Sequence, residues 1–228
     1  MKGFYILGGY PDIKTFENGF AIVQKYADFV EVGLAYNDPV ADGPVIAKAA
    51  AEISGKTKLE EILDIVKQHK KTKTYVMTYA NIFYQFGLKR FSDEYSEIID
   101  GVIVADLPNR LHNFFYDKGF YIPIIPFVTP ESRIEDIKLL KNTKADFIYF
   151  VGVRGVTGSS VDFLSSELVK KVQLIKEVTN KKVIFGFCIK TKQDTEKVLS
   201  YADGFVIGTE IVKRQNDFEK LKNYVGDF

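Results

Sequence analysis

"DFVEVGLAYNDPVADGPVI", residues 28–46, opens on a short apolar run and then turns acidic. Side chains on a strand alternate faces, so Val30 and Val32 share one side while Phe29, Glu31 and Gly33 share the other. Both sides are apolar except for one carboxylate. A run apolar on both faces is how a parallel strand covered on both sides reads. The loop that follows carries Asp38 and Asp42 among Pro39, Gly43 and Pro44, residues that favour turns.

Seven further runs have the same character: "FYILGG" (4–9), "TYVMTY" (74–79), "GVIVAD" (101–106), "IPIIPF" (122–127), "DFIYFVG" (146–152), "KVIFGF" (182–187) and "GFVIGT" (204–209). Four of the eight are introduced by related turns, "YADFVEV", "IIDGVIV", "KADFIYF" and "YADGFVI", in which an Asp precedes the strand. Between the runs lie segments such as "TFENGFAIVQKYA", "LEEILDIVKQHK", "RIEDIKLLKN", "SSELVKKVQLIKEVT" and "QDTEKVLSYA". Their apolar positions recur every three or four residues, the spacing of a helix with one buried face. Eight strand–helix units in this length predict an α/β fold, a (β/α)₈ TIM barrel formed as a single domain over residues 1–228. An open doubly wound sheet is the alternative.

With 46% hydrophobic residues in 228, the chain has enough apolar material for a sizeable core, and its net charge of +1 leaves no basic footprint for nucleic acid or an anionic membrane. Cys188 is the only cysteine, so an intrachain disulfide and a cysteine-rich metal site are excluded, and a reducing, cytoplasmic setting is expected. The N-terminal apolar run is cut by Gly8, Gly9 and Pro11, too brief for a signal-peptide core or a membrane span. No His/Cys/Asp spacing matches a zinc site, and no GxGxxG follows the first strand. His69 and His112 fall in polar, helix-like surroundings and are expected at the surface.

In such barrels chemistry sits at the C-terminal ends of strands and in the loops that follow. Glu31 should therefore point into the barrel near its mouth. The strand interiors carry essentially no Lys or Arg apart from Lys182 at a strand start, so burial should raise the pKa of Glu31 into the range where a carboxyl can both give and take a proton near neutrality. Asp42 lies across a loop short enough to fold over the same mouth and is the second candidate carboxylate, whereas Asp38 before Pro39 reads as a turn former. Late in the chain, "GVTGSS" after strand six, "GFC" at strand seven and "GT" after strand eight can converge backbone N–H groups and the Thr209 hydroxyl on an anion. Barrels commonly hold a phosphate there.

Taken with "YANIFYQFGLKRF", "GVIVADLP", "TPESR", "GVTG" and "ADGFVIGTEIV" in the same order, "FVEVGLAYNDPVADGPVIAKA" resembles the tryptophan synthase alpha subunit family over nearly the whole chain. The resemblance implies cleavage of indole-3-glycerol phosphate to indole and glyceraldehyde 3-phosphate, with Glu31 and Asp42 as the catalytic pair and Tyr149 beside them. It implies phosphate binding by Gly158, Gly186, Gly208 and Thr209, the last in place of the family's usual Ser. Met77, Ile103 and Phe127 would hold the indole ring. The alpha subunit needs no cofactor of its own, and pyridoxal phosphate is expected only in a beta subunit, joined as an alpha2-beta2 heterotetramer through the loops after strands two and six. Some positions depart from the family pattern: Ala35-Tyr36-Asn37 replaces Pro-Phe-Ser, Cys188 replaces a glycine, and the arginine near "GVTG" is shifted to Arg154. Those departures motivate one rival, a catalytically weak barrel that mainly activates a beta-type partner by binding it. Another rival is a phosphate barrel with isomerase or prenyltransferase chemistry, but it leaves the pairing of "ADGP" with Glu31 unexplained.

Overall fold

The computed structural model describes residues 1–152 and 161–228. Its strands are β1 (Lys2–Leu7), β2 (Phe29–Gly33), β3 (Lys73–Thr78), β4 (Gly101–Val104), β5 (Phe127–Val128), β6 (Phe147–Val151), β7 (Lys182–Gly186) and β8 (Gly204–Ile207). The α-helices are α1 (Ile13–Val23), α2 (Pro44–Ile53), α3 (Leu59–His69), α4 (Ala80–Phe86), α5 (Leu88–Tyr95), α6 (His112–Asp117), α7 (Ile134–Lys138), α8 (Ser166–Thr179), α9 (Lys192–Leu199), α10 (Thr209–Val212) and α11 (Phe218–Gly226). All ladder pairs are parallel, in the order β4-β3-β2-β1-β8-β7-β6-β5. The two ends of that order meet through a bridge between Val102 and Ile124, where Val102 N–H donates to Pro123 O at 2.9 Å and Ile125 N–H donates to Val102 O at 2.8 Å. The sheet closes on itself as the TIM barrel expected from the alternation.

Strand five is the one that departs from its sequence reading. The expected 122–127 run contributes only Phe127 to the regular ladder, which continues one residue beyond it to Val128. Pro123 and Pro126 have no N–H to give it, which leaves the rest of the run with an isolated bridge.

The alternation read from "DFVEVGL" sorts the interior into two layers. Val30 and Val32 join the core between strands and helices, with Phe4, Ile6, Val102, Val104, Ile148 and Phe150. Phe29 joins the smaller core inside the barrel, with Tyr5, Tyr75, Met77, Ile103, Phe147, Tyr149 and Val206. At the N-terminal end of the strands the rings of Phe29, Tyr75 and Phe147 meet mutually, with centroids 5.2–5.6 Å apart. They form a solid floor. Below them the Tyr75 hydroxyl donates to Asp146 at 3.1 Å, and Lys73 pairs with the same carboxylate.

The repeated Asp before the even-numbered strands has a mechanical role. Asp28 accepts from Lys2 N–H at 2.7 Å, Asp100 from Thr74 N–H at 2.9 Å and Asp203 from Val183 N–H at 2.9 Å. Each carboxylate thus satisfies a backbone donor at the start of the preceding strand, while its own N–H donates to the carbonyl of that same residue. Asp146, the fourth, serves the floor instead.

His112 corrects a sequence expectation. It opens α6 and shares with Phe115, three residues on, the face turned to the core. It is 8% exposed rather than a surface residue, and burial pushes its pKa down to about 4. His69 lies nearer the surface, 2.8 Å from Glu17. Among the described residues no helix is long and apolar enough to cross a membrane.

Candidate active site

A cavity with about 590 Å³ of empty space, part of it continuous with open solvent, lies at the C-terminal end of the barrel. Glu31, Asp42 and Tyr149 all line it, as do Met77, Gly208 and Thr209. Residues from both halves of the chain are brought together because each stands at the end of a strand or just beyond it.

Glu31 is fully buried, and among the described residues neither carboxyl oxygen has a hydrogen-bond partner. Its strand neighbours in register are Tyr5 on β1 and Tyr75 on β3. Burial alone raises its pKa to about 8. The carboxyl is therefore protonated at neutrality yet close enough to its midpoint to yield the proton.

Asp42 is held differently. The chain leaves β2 through 34–43 and enters α2 at Pro44, which occupies the first helical position with Gly43 as the cap, a place where a missing N–H costs nothing. Asp42 ends that loop over the cavity. Its Oδ2 accepts from the Tyr79 hydroxyl at 2.9 Å, and the same hydroxyl accepts from Ala41 N–H at 3.1 Å. Burial raises the Asp42 pKa and the Tyr79 bond opposes that rise. Tyr36 stacks on Tyr79 with centroids 4.7 Å apart and planes 25° from parallel. Asn37 accepts from the Ser54 hydroxyl at the end of α2. Two of the three departures in "AYN" thus fasten the loop that carries Asp42.

Tyr149 is 3% exposed and lines the cavity, with its ring 5.3 Å from Phe127 and 6.2 Å from Phe187. Burial, then the neighbouring Glu31 charge, raise its pKa well above the ordinary value. Of the expected indole-binding residues Met77 lines the cavity, whereas Ile103 is wholly buried in the barrel interior and Phe127 packs on Tyr149. Ile46 from α2 and Val206 from β8 supply the apolar lining in their place, with Tyr5.

The glycines separate by cause. A Cβ on Gly186 would lie 2.0 Å from the Tyr149 ring, so packing alone demands glycine there, and Gly186 is not among the lining residues. A Cβ on Gly208 would meet Tyr5 only at 3.5 Å, an ordinary contact, and φ there is negative. Gly208 leaves open backbone on the cavity beside the Thr209 hydroxyl. Gly158 and Arg154 lie outside the described residues. The turn after β7 carries Phe187 and Cys188 at φ 74° and 60°, left-handed conformations that cost L-residues energy and concentrate at functional sites. Both line the cavity with Ile189 and Lys190.

Two further acids, Asp106 and Glu210, are structural. Asp106 caps α4 by accepting from Ala80 N–H at 2.7 Å, and Glu210 is paired with Lys213 and Arg214, each at 2.6 Å. Among the described residues no group of three or more His, Cys, Asp or Glu side chains is placed to hold a metal ion.

Sequence reasoning assigned no role in the site to Tyr36, the Tyr79 hydroxyl, Tyr5 or Lys190. Tyr5 was within reach, since alternation from Phe4 turns it inward; the Tyr36–Tyr79 stack joins the ends of two strands and has no local signal.

The family model described as "Tryptophan synthase alpha chain" matches residues 4–226. The alpha chain of Staphylococcus epidermidis is 36% identical over 221 residues, covering 92% of this chain and 88% of that one. A chain of Mycobacterium tuberculosis tryptophan synthase superposes with a TM-score of 0.88 at 25% identity, covering 99% of this chain and 90% of that one. A chain from the tryptophan synthase complex of Pyrococcus furiosus gives 0.84 at 25% identity, covering 99% and 95%. A sequence match that runs almost from end to end, on the same barrel, makes this chain a member of the tryptophan synthase alpha chain family.

Proposed function

We propose that Glu31 and Asp42 share the proton transfers in the cleavage of indole-3-glycerol phosphate to indole and glyceraldehyde 3-phosphate, the carbon–carbon lyase reaction of this family in tryptophan biosynthesis. The observation that carries the assignment is a buried carboxyl, without a hydrogen-bond partner among the described residues, that lines the same cavity as a second, hydrogen-bonded carboxylate; burial pushes the first up to about 8.

Protonated Glu31 delivers its proton to indole C3, and positive charge develops at the ring nitrogen. Asp42, whose carboxylate form the Tyr79 hydroxyl favours against burial, accepts the N1–H hydrogen bond and stabilises that charge. Glu31, now a carboxylate, takes the proton from the hydroxyl on the carbon attached to C3. The C–O bond becomes an aldehyde carbonyl, the C–C bond breaks, and its electron pair restores the C2–C3 double bond of indole. Glu31 ends protonated, as it began. Tyr149 and Tyr5 wall the reacting centre, and Met77, Ile46 and Val206 form the apolar seat for the ring. The phosphate falls to the far side of the mouth, at Gly208 and Thr209, with Gly158 and Gly186 as the remaining candidates. The residue chemistry supplies every proton transfer without a resident cofactor.

For the partner, we infer a pyridoxal-phosphate beta-type subunit, joined as an alpha2-beta2 assembly in the cytoplasm. Val40, at the crown of the Asp42 loop, is 76% exposed, an apolar side chain placed where a partner could set the position of that loop. Activation by a partner adds to catalysis here; an activator without chemistry would have no use for the Glu31–Asp42 pair.

Indole release from indole-3-glycerol phosphate tests the assignment. The chain, alone or with a beta subunit, should release indole, Glu31→Gln should abolish release while still binding indole propanol phosphate, and Asp42→Ala should fold but turn over at least about 100-fold more slowly. Absence of turnover by the unmodified chain under both conditions refutes the reading.

A further inference from the structure

We infer that the Lys190 ammonium holds the phosphate dianion of the substrate directly, so that this site binds its phosphoryl group by a charged side chain as well as by backbone donors and the Thr209 hydroxyl. The inference rests on the proposed reaction only for the identity of the phosphate ester.

Lys190 is the only Lys or Arg among the described residues lining the cavity, whose other ionisable groups include the acids Glu31 and Asp42. It stands in the turn after β7 with Cys188 and Ile189, while Gly208 and Thr209 follow β8, the strand paired with β7, and all five line the cavity. The backbone of Lys190 is fixed at both polar groups. Its N–H donates to Asp194 Oδ2 at 3.0 Å, and its carbonyl accepts from the Tyr224 hydroxyl at 2.6 Å. Those anchors come from α9 and α11, two helices behind the turn, and they set where the side chain starts.

Asp194 is itself engaged with the N-cap of α9, accepting from Thr191 N–H at 2.9 Å, so its carboxylate serves backbone donors. The turn between β7 and Lys190 is held in two successive left-handed residues, Phe187 and Cys188. A conformation that opposes side-chain preferences at two positions is retained where the surrounding structure enforces it. What it achieves is to bring residues 187–190 onto the cavity wall.

A phosphate monoester is a dianion near neutrality, and a mouth shared with Asp42 is electrostatically unfavourable to it unless a cation answers. Hydrogen bonds to a charged partner contribute about 1.5–3 kcal/mol, roughly 10- to 150-fold in affinity. An ammonium on a flexible stem is a point donor, suited to a phosphate that arrives and leaves each turnover.

Steady-state cleavage of indole-3-glycerol phosphate by the unmodified chain, Lys190→Met and Lys190→Arg tests this, together with inhibition by indole propanol phosphate and by phosphate-free indole propanol. Lys190→Met should raise KM and the inhibition constant of the phosphorylated inhibitor by about tenfold or more, with kcat changed much less. Its binding of indole propanol should stay within about twofold. The salt dependence of KM should flatten in Lys190→Met and persist in Lys190→Arg. Equal KM values and equal salt slopes in the unmodified chain and Lys190→Met overturn the inference, as does an equal loss of affinity for both inhibitors, which marks a structural role. An unmodified chain that does not turn over indicts the reaction instead, and inhibitor binding measured by calorimetry then still decides the role of Lys190.

Discussion

Replacing Glu31 by glutamine should change how stability depends on pH, by an amount fixed by the site. In the unfolded chain this carboxyl ionises near 4.5, and in the barrel near 8. Through that window the folded state binds more protons than the unfolded state, so stability falls as pH rises. The cost is absent below the unfolded value and complete above the folded one. Between about pH 5 and pH 7.5, the difference in ionisation free energy amounts to ~3 kcal/mol. An amide does not titrate, so the Glu31→Gln variant should gain ~3 kcal/mol relative to the unmodified protein across that interval. The amide's own burial offsets both ends equally. Urea unfolding at fixed ionic strength, followed by far-ultraviolet circular dichroism because the chain has no tryptophan, gives the two curves. If the difference between them moves by less than about 1 kcal/mol, Glu31 is solvated or paired in solution and its role as a proton donor near neutrality fails with it.

Three other substitutions probe the rest of the site. Tyr79→Phe removes a hydrogen bond that favours ionised Asp42, so kcat/KM should drop by roughly 10- to 100-fold and the acid limb of its pH profile should move upward; an unmoved limb would detach Tyr79 from Asp42. Val40→Asp should leave the isolated chain's cleavage rate unchanged and abolish stimulation by a beta subunit, read by titrating one subunit against the other. Cys188→Gly relieves a left-handed φ of 60° and should raise stability by up to about 1 kcal/mol, visible as a higher midpoint in thermal unfolding.

How far the sequence carried depended on whether a signal was local. Strand alternation is local, so the inward direction of Glu31 and the outward direction of Val30 and Val32 were legible from the strand alone. The absence of a cation in the strand interiors was legible too, and it predicted the raised pKa of Glu31. Strand five was over-read because apolar character masked the two prolines that interrupt its hydrogen bonding. His112 was misplaced because helical spacing gives two candidate faces, and only the packing of α6 chooses the one shared with Phe115. At Gly186 the ring that leaves no room for a side chain belongs to Tyr149, a contact between strands that no spacing encodes. The same holds for Tyr36: in sequence it is a departure within a motif, and in space it braces the hydroxyl that holds Asp42.

The aromatic floor has a consequence for traffic. Phe29, Tyr75 and Phe147 stopper the barrel axis, so among the described residues the site is closed at its base and has its rim at the mouth. The ring contacts at the base leave substrate, products and exchanging water the mouth as their way in and out among the described residues. The loop that carries Asp42 therefore borders both the cavity and the passage into it.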